Sequence, residues 1–429
     1  MLSAIGVDSV DSLFSSVPKE LRAKSFNLPP GETEFEIMKT FQNLAARNSS
    51  GCISFMGGGY YDHFIPAAVD AVSSRPEFYT AYTPYQPEAS QGTLRAIFEY
   101  QTMIAALTGM EYSNASLYDG GTALYEAIAM AVRTNNRTKI VIDSGVNPLF
   151  RRIVKTYIIN FDIEIVEADL NDVYTDTEKI KPLIDENTSA VVVSNPNFFG
   201  YLSDYTGLFE YASKKGAASI MCFYPLSLGI LKTPGEMKAD IAVAEGQSLG
   251  LPLSFGGPYL GMIAVNKKHL RKMPGRIVGE TADKEGKKAY VLTLQAREQH
   301  IRREKATSNI CSNQALCALR AGVYLALLGR QGLKEAALIN FERAEYLKAG
   351  LGKISGLEVK EGDTFNEFTV NIKKGAGDVV EKMIKNGYLG GLPVSLFYPG
   401  KEGHIIISAT EKRTENEINK FIETLKKHI

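Results

Sequence analysis

Three segments of the sequence carry residues whose types and spacing suit a chemical site. The first, Asp119-Gly120-Gly121-Thr122, stands directly before a stretch with the apolar spacing of a helix. Glycines at a helix start let the backbone approach an anion, and the free N–H groups and the helix dipole there favour negative charge. Thr122 adds a hydroxyl donor. The same residues also suit the N-cap of an ordinary buried helix, which is the more common use of such a sequence.

The second segment, Gly246-Gln247-Ser248-Leu249-Gly250, matches the G-x-S-x-G pattern of a serine hydrolase. It follows a predicted strand, and His404 lies later in the chain as a candidate base. That pattern requires a helix directly after the serine, whereas Leu251 to Pro258 is rich in proline and glycine and cannot begin a regular helix. An α/β-hydrolase that uses Ser248 is therefore the weaker enzyme hypothesis.

The third segment runs from Arg297 to Asn309 and is dense in charged residues until its last four, which read Ala-Thr-Ser-Asn. Charge pairs spaced at i,i+4 are typical of a solvated helix face. The uncharged end instead favours a helix boundary with free hydroxyls and an amide. A basic helix that leads into such a boundary suits a carboxylate or a phosphate, and both interpretations stay open from the residues alone.

Composition excludes several classes of function. Lys plus Arg and Asp plus Glu both number 48, so the formal net charge is zero, and we expect no nucleic-acid or membrane partner. The four cysteines form no C-x-x-C pair, which predicts reduced thiols in a cytoplasmic protein. Five scattered histidines predict no metal site. The N-terminal residues lack the basic and apolar regions of a signal peptide.

Helices and short apolar strands alternate along the segments that must position these residues. Continuous apolar strands between helices indicate an α/β protein with a mostly parallel sheet covered on both faces. The strands are predicted at 139–143, 163–166, 190–194, 218–223, 240–244 and 261–265. Two helices at 312–328 and 334–351 and an α+β pattern follow. We expect an N-terminal helical arm and loop (1–70), a large domain (71–330) and a small C-terminal α+β domain (331–429).

Several stretches of residues 1 to 330 together resemble one family. They are Tyr79 to Glu88, Ser90 to Gly92, Asn114 to Leu117, Ser194 to Gly200, Gly246-Gln247, Phe255 to Pro258, Pro274 to Gly279 and Leu292 to Cys311. These stretches resemble the glycine cleavage system P-proteins, in particular their alpha-subunit form. The resemblance implies an aminotransferase-like fold and pyridoxal phosphate as cofactor. It also implies a heterotetramer of alpha and beta subunits, which decarboxylates glycine and passes the aminomethyl group to the lipoyl arm of the H-protein.

Two positions depart from what that superfamily requires. Its members attach the cofactor through a lysine just after a strand and pair the ring nitrogen with an acidic residue. Here these positions read Gln247 and Tyr224. An amide cannot form a Schiff base, and a neutral phenol cannot replace a carboxylate beside a protonated ring. The resemblance therefore implies that the beta partner binds the cofactor covalently.

These departures predict that the chain completes its partner's active site. We expect tyrosines to wall a flat cofactor and basic groups to hold a phosphate or the glycine carboxylate. The predicted residues are Tyr82, Tyr85, Gln86, Glu88, Arg303, Lys305, Thr307 and Asn309. Gly120, Gly121, Thr122, Tyr224 and Gln247 would form the chain's own degenerate cofactor site. The alternative is a subunit that acts only as a scaffold.

Overall fold

The computed structural model describes residues 1–48, 51–306, 308–373 and 375–429. The chain divides into two units, Met1–Gly51 and Cys52–Ile429. The first unit contains three short 3-10 turns followed by helix α1 (Glu34–Ala45). A capping box between Thr33 and Glu36 satisfies free N–H groups at the start of α1. None of the described residues of this unit is buried.

The second unit contains fifteen strands and eleven further helices among its described residues. The strands are β1 (Ile53–Ser54), β2 (Tyr112–Ser113), β3 (Lys139–Asp143), β4 (Glu164–Ala168), β5 (Thr188–Asn195), β6 (Ala218–Phe223), β7 (Ile241–Glu245), β8 (Gly261–Val265), β9 (Val278–Ala282), β10 (Lys288–Leu292), β11 (Leu357–Val359), β12 (Glu367–Ile372), β13 (Tyr388–Leu389), β14 (Leu392–Pro393) and β15 (His404–Ser408). The helices are α2 (Ala67–Ser73), α3 (Pro76–Tyr79), α4 (Gln91–Thr108), α5 (Gly120–Asn135), α6 (Pro148–Tyr157), α7 (Thr177–Ile180), α8 (Thr206–Lys214), α9 (Gln299–Arg302), α10 (Ala315–Leu351), α11 (Ala376–Lys385) and α12 (Glu415–Lys426).

A seven-stranded sheet, in the order β2-β8-β7-β6-β5-β3-β4, forms the centre of this unit. The pairs from β7 through β6, β5 and β3 to β4 are parallel, while β8 and β2 join antiparallel at one edge. Every residue of β6, β7 and β8 is buried, as expected for a sheet covered on both faces. The predicted mostly parallel α/β fold is confirmed.

A smaller antiparallel sheet, in the order β11-β12-β15-β14, packs with α11 and α12 around its own core. The predicted strands at 357–359, 367–372 and 404–408 are confirmed to the residue. The two helices predicted before this sheet are the two halves of α10, which is interrupted at Gly329. Because Gly329 has φ of 60°, outside the helical region, the chain changes direction there.

Two regions differ from the sequence-based expectation. The antiparallel hairpin of β9 and β10 was missed, although its turn contains Gly286 and four of the five residues of its second strand are apolar. The charged segment that begins near Arg297 contains only the single helical turn α9, flanked by short 3-10 turns. Among the described residues, no helix has both the length and the apolar character required to cross a membrane.

Candidate functional site

The predicted cofactor residues meet at one edge of the large sheet. Tyr224 directly follows β6, and Gln247 follows β7 by two residues. Parallel strands present their carboxyl ends at the same edge, which is where ligands bind in open α/β sheets. A cavity of about 60 Å³ opens there, lined among others by Tyr61, Tyr224, Glu245 and Glu367. The described part of the chain contains no cluster of side chains arranged to hold a metal ion.

The side-chain amide of Gln247 is fully used by the backbone around it. Its Nε2 donates to the carbonyl oxygens of Tyr61, at 3.1 Å, and Leu251, at 2.8 Å. Its Oε1 accepts from the N–H of Tyr61 at 3.1 Å. Gln247 is 2% exposed. At the lysine position, this glutamine therefore clamps the segment that contains Tyr61 against the sheet edge.

Glu367, on β12, holds the same segment from the other side. Its Oε2 accepts from the N–H of Gly58 at 2.8 Å, and its Oε1 accepts from the hydroxyl of Tyr61 at 2.7 Å. A Cβ on Gly57 would lie 2.2 Å from this carboxylate, so the close approach requires glycine. Burial raises the pKa of Glu367 to about 7, although the bonds from Gly58 and Tyr61 lower it. The segment 57–61 is thus fixed inside the pocket.

The hydroxyl of Tyr224 begins a chain of hydrogen bonds that runs through His63 to Glu411. This hydroxyl makes a close hydrogen bond with Nε2 of His63, and Nδ1 of His63 lies 2.9 Å from Oε2 of Glu411. An ionised carboxylate only accepts, so Nδ1 of His63 donates to Glu411. Tyr61 packs beside Tyr224, with ring centroids 4.8 Å apart. The phenol is therefore engaged within the chain.

Carboxylates occupy the predicted anion site at the start of α5. Oε2 of Glu245 accepts from the N–H of Gly120 at 3.0 Å. Asp119 accepts from both the N–H and the hydroxyl of Thr122, at 2.8 and 3.0 Å. A Cβ on Gly121 would lie 2.4 Å from a side-chain carbon of Ile153, so this turn packs tightly. The first turn of α5 is capped by the chain's own side chains.

The residues present do not fit a bound pyridoxal phosphate. No lysine stands at 247, and the phenol of Tyr224 is bonded to His63. The donors on Gly120 and Thr122 that would face a phosphate are bonded to Glu245 and Asp119. The cavity of about 60 Å³ between these groups is lined by the side chains of Tyr61, Tyr224 and Glu367. In this pocket the polar groups that were predicted to bind a cofactor are bonded to other groups of the chain.

The residues predicted to complete a partner's site lie at the surface, with one exception. Tyr82 is 93% exposed. Gln86, Glu88, Arg303, Lys305 and Asn309 are also exposed, and Thr307 lies outside the described residues. Tyr85 is half-buried: its hydroxyl donates to Oδ1 of Asn313 at 2.5 Å. The guanidinium of Arg276 lies 5.2 Å from the Tyr85 ring centroid. Tyr85 thus anchors the loop between α3 and α4, which displays Tyr82. We call this loop, residues 80–90, the aromatic loop.

Sequence reasoning missed the acidic side chains and the histidine that fill the pocket. Glu245, Glu367 and Glu411 were not predicted as site residues, and neither was His63. The glycine run at 57–59 lacks the spacing of a dinucleotide loop and therefore gave no site prediction. Glu245 did carry a signal, because a carboxylate at the end of a wholly buried strand needs partners.

Ser248 lacks the surroundings of a hydrolase nucleophile. The residue is 2% exposed, and turns rather than a helix follow it. Among the described residues, no hydrogen bond joins it to His404, whose Nε2 lies instead 3.9 Å from Oδ1 of Asp172. The geometry of Ser248 therefore gives the hydrolase hypothesis no support.

We expect Glu367→Gln to reduce the pH dependence of stability. The folded pKa of about 7 exceeds the ordinary 4.5, so the folded chain holds this proton more tightly than the unfolded chain. That contribution is complete below pH 4.5 and is lost as pH rises through 7. Urea unfolding measured from pH 5 to 8 should show a shallower fall in the variant. Exposed Glu381→Gln is the control, and an equal slope in Glu367→Gln would contradict the assignment.

Comparisons with known proteins agree over nearly the whole chain. The family model described as glycine cleavage system P-protein matches residues 1–425. Probable glycine dehydrogenase (decarboxylating) subunit 1 of Citrifermentans bemidjiense is 53% identical over 99% of this chain and 96% of its own length. The Geotalea daltonii protein of the same name is 54% identical, with the same coverage. A crystal structure of glycine decarboxylase (P-protein), in inhibitor-bound form, superposes with a TM-score of 0.94 at 42% identity, covering 100% of this chain and 97% of its own. Lactobacillus brevis glutamate decarboxylase, 13% identical with a TM-score of 0.68 over 97% of each chain, shares the fold.

Proposed function

Because the chain belongs to the glycine cleavage system P-protein family, we propose that it is one of two unlike subunits that decarboxylate glycine together. The beta partner carries pyridoxal phosphate on its lysine and passes the aminomethyl group to the lipoyl arm of the H-protein. This chain supplies residues that complete the partner's active site, in the cytoplasm. The observation that carries the proposal is Gln247 at the lysine position, with its amide bonded to the backbone of Tyr61 and Leu251.

The N-terminal unit supports assembly with another chain. Large apolar side chains are exposed throughout it, at Ile5, Val10, Leu13, Phe14, Val17, Leu21, Phe26, Leu28, Phe35, Ile37, Met38, Phe41 and Leu44. Soluble monomers rarely expose so many apolar side chains together, and such surfaces are typical of protein interfaces. On α1, Ile37, Phe41 and Leu44 follow the i, i+4, i+7 spacing of one helix face. We propose that this face packs against the partner subunit.

The aromatic loop supports a role beyond scaffolding. A tyrosine that is 93% exposed, such as Tyr82, has no packing role within its own chain. Tyr85 fixes the loop through Asn313, whose Nδ2 in turn donates to Oγ of Ser116 at 2.9 Å. Because a tyrosine side chain has only two rotatable bonds, an anchored loop holds its ring at a low cost in conformational entropy. Such a ring suits the wall of a neighbouring pocket. We propose that Tyr82 lines the partner's active site.

Tyr82→Ala tests this role. We expect the reconstituted complex to assemble normally and to lose glycine–CO2 exchange activity by about tenfold or more, as a lost contact of about 1–3 kcal/mol predicts. Exchange kinetics and size-exclusion chromatography measure the two properties. Phe161→Ala, which removes another exposed aromatic ring, is the matched control. Full activity of Tyr82→Ala at full assembly would instead favour the scaffold hypothesis.

Gln247→Lys should not create a cofactor site in the isolated chain. The new ammonium group would face the carbonyls of Tyr61 and Leu251, and it cannot accept the N–H of Tyr61. We therefore expect no stoichiometric pyridoxyl-lysine after incubation with pyridoxal phosphate and borohydride reduction, in either the unaltered chain or the variant. Peptide mass mapping provides the measurement. A fully modified lysine in the unaltered chain would overturn the degenerate-site proposal.

A further inference from the structure

The carboxylate of Glu245 lies at the junction of three backbone segments. It ends β7 and is 6% exposed. Its Oε2 accepts from Gly120, and its Oε1 accepts from the N–H groups of Leu260 and Gln247, at 3.0 and 3.1 Å. We propose that Glu245 is an internal substitute for a phosphate group, which closes this chain's pocket to phosphate monoesters.

The donors that Glu245 engages are those that an anionic ligand would need. A phosphate at a helix N-terminus is held by the first free N–H groups of the helix, and here Glu245 takes that of Gly120. The neighbouring donors of Thr122 are taken by Asp119. A phosphate that entered would displace the carboxylate of Glu245 and would lie close to the carboxylate of Asp119. Both the lost bonds and the like charges oppose its binding.

Other groups of the chain also occupy the pocket beside Glu245. The segment 57–61 is tied at Gly58 by Glu367 and at Tyr61 by Gln247. A Cβ on Gly120 would lie 2.9 Å from Cβ of Glu245 and 2.6 Å from the Phe150 ring. The end of β7 and the Phe150 ring therefore pack against the helix start with no space for a side chain at position 120. Burial raises the pKa of Glu245 to about 8, and the three N–H donors act in the opposite direction by favouring its ionised form.

A chain closed in this way needs no cofactor to complete its fold. The inference goes beyond the proposed function, because it names the side chain that excludes phosphate monoesters and the helix start that it blocks. Its test uses the isolated chain, so that a negative result leaves the proposed role in the complex standing.

The experiment measures binding of inorganic phosphate and of pyridoxal phosphate by calorimetry. The proteins are the unaltered full chain and two opened variants, Glu245→Ala and Glu245→Ser. The serine variant keeps one hydroxyl group at this position, whereas the alanine variant has no polar side-chain atom there. Circular dichroism verifies that each protein is folded. Glu367→Ala is the matched control, because it removes another buried carboxylate of the same pocket but leaves the start of α5 capped.

We expect no saturable phosphate binding by the unaltered chain or by Glu367→Ala. An opened variant should instead bind phosphate saturably. Its dissociation constant should be at least about tenfold lower than that of any weak phosphate binding measured for the other two proteins. Saturable binding of phosphate by the unaltered chain would overturn the inference. A folded opened variant that binds phosphate no more tightly than the unaltered chain would overturn it as well.

Discussion

Phe41→Glu combined with Leu44→Glu is expected to abolish assembly with the partner subunit while the chain stays folded. Both side chains are exposed, at 65% and 47%, and none of the described residues of the unit that contains α1 is buried. Burial of each large apolar side chain in an interface contributes about 1.5–3 kcal/mol, and an unpaired charge there adds a penalty. We therefore expect the dissociation constant of the complex to rise roughly a hundredfold or more.

Sedimentation velocity with a titrated partner measures this effect, and circular dichroism verifies the fold. Thr40→Glu combined with Asn43→Glu is the matched control, because it adds the same charges at the same spacing but replaces two polar residues of α1. Equal affinity in the two double variants would show that this face does not contact the partner. Exchange activity should fall in parallel with assembly, because the proposed active site needs both subunits.

Glu411→Ala should destabilise the isolated chain by about 3 kcal/mol or more, since it breaks a buried charged network. Glu411 accepts from the N–H of Phe64 at 2.6 Å, from Nδ2 of Asn340 at 2.7 Å and from His63 at 2.9 Å. Without the carboxylate, these three donors lose their partner, and those of His63 and Asn340 lie in a partly buried place. Urea unfolding at neutral pH measures the loss. Exposed Glu423→Ala on α12 is the control and should change stability by less than about 0.5 kcal/mol.

The same carboxylate predicts acid sensitivity with a defined sign. Burial raises its pKa, but the bond and charge of His63 and the bonds from Phe64 and Asn340 outweigh burial and hold the pKa at about 2. The folded pKa lies below the ordinary 4.5, so the contribution of Glu411 is present above 4.5 and is lost as pH falls to 2. The unaltered chain should therefore lose more stability than Glu411→Ala in this window. Parallel losses would contradict the assigned network.

Local patterns were sufficient for most of the fold. The buried strands are short apolar runs bounded by turns. Such a run can be read from the sequence without knowing which strands pair with it. The strands β3, β6 and β8 were therefore predicted to the residue. The hairpin of β9 and β10 was missed because its strands are partly exposed and mix charged with apolar residues. The exposed β9 residues carry no continuous apolar signal.

The sequence by itself determined the family resemblance and the chemistry that is lacking at Gln247 and Tyr224. These conclusions depend only on which residue follows which strand. Only the tertiary structure decided what stands in the cofactor's place. Gly120 and Glu245 are 125 residues apart, Gly58 and Glu367 are 309 apart, and His63 and Glu411 are 348 apart. A hydrogen bond between such residues has no periodicity and no fixed spacing, because the fold alone brings the two groups within bonding distance.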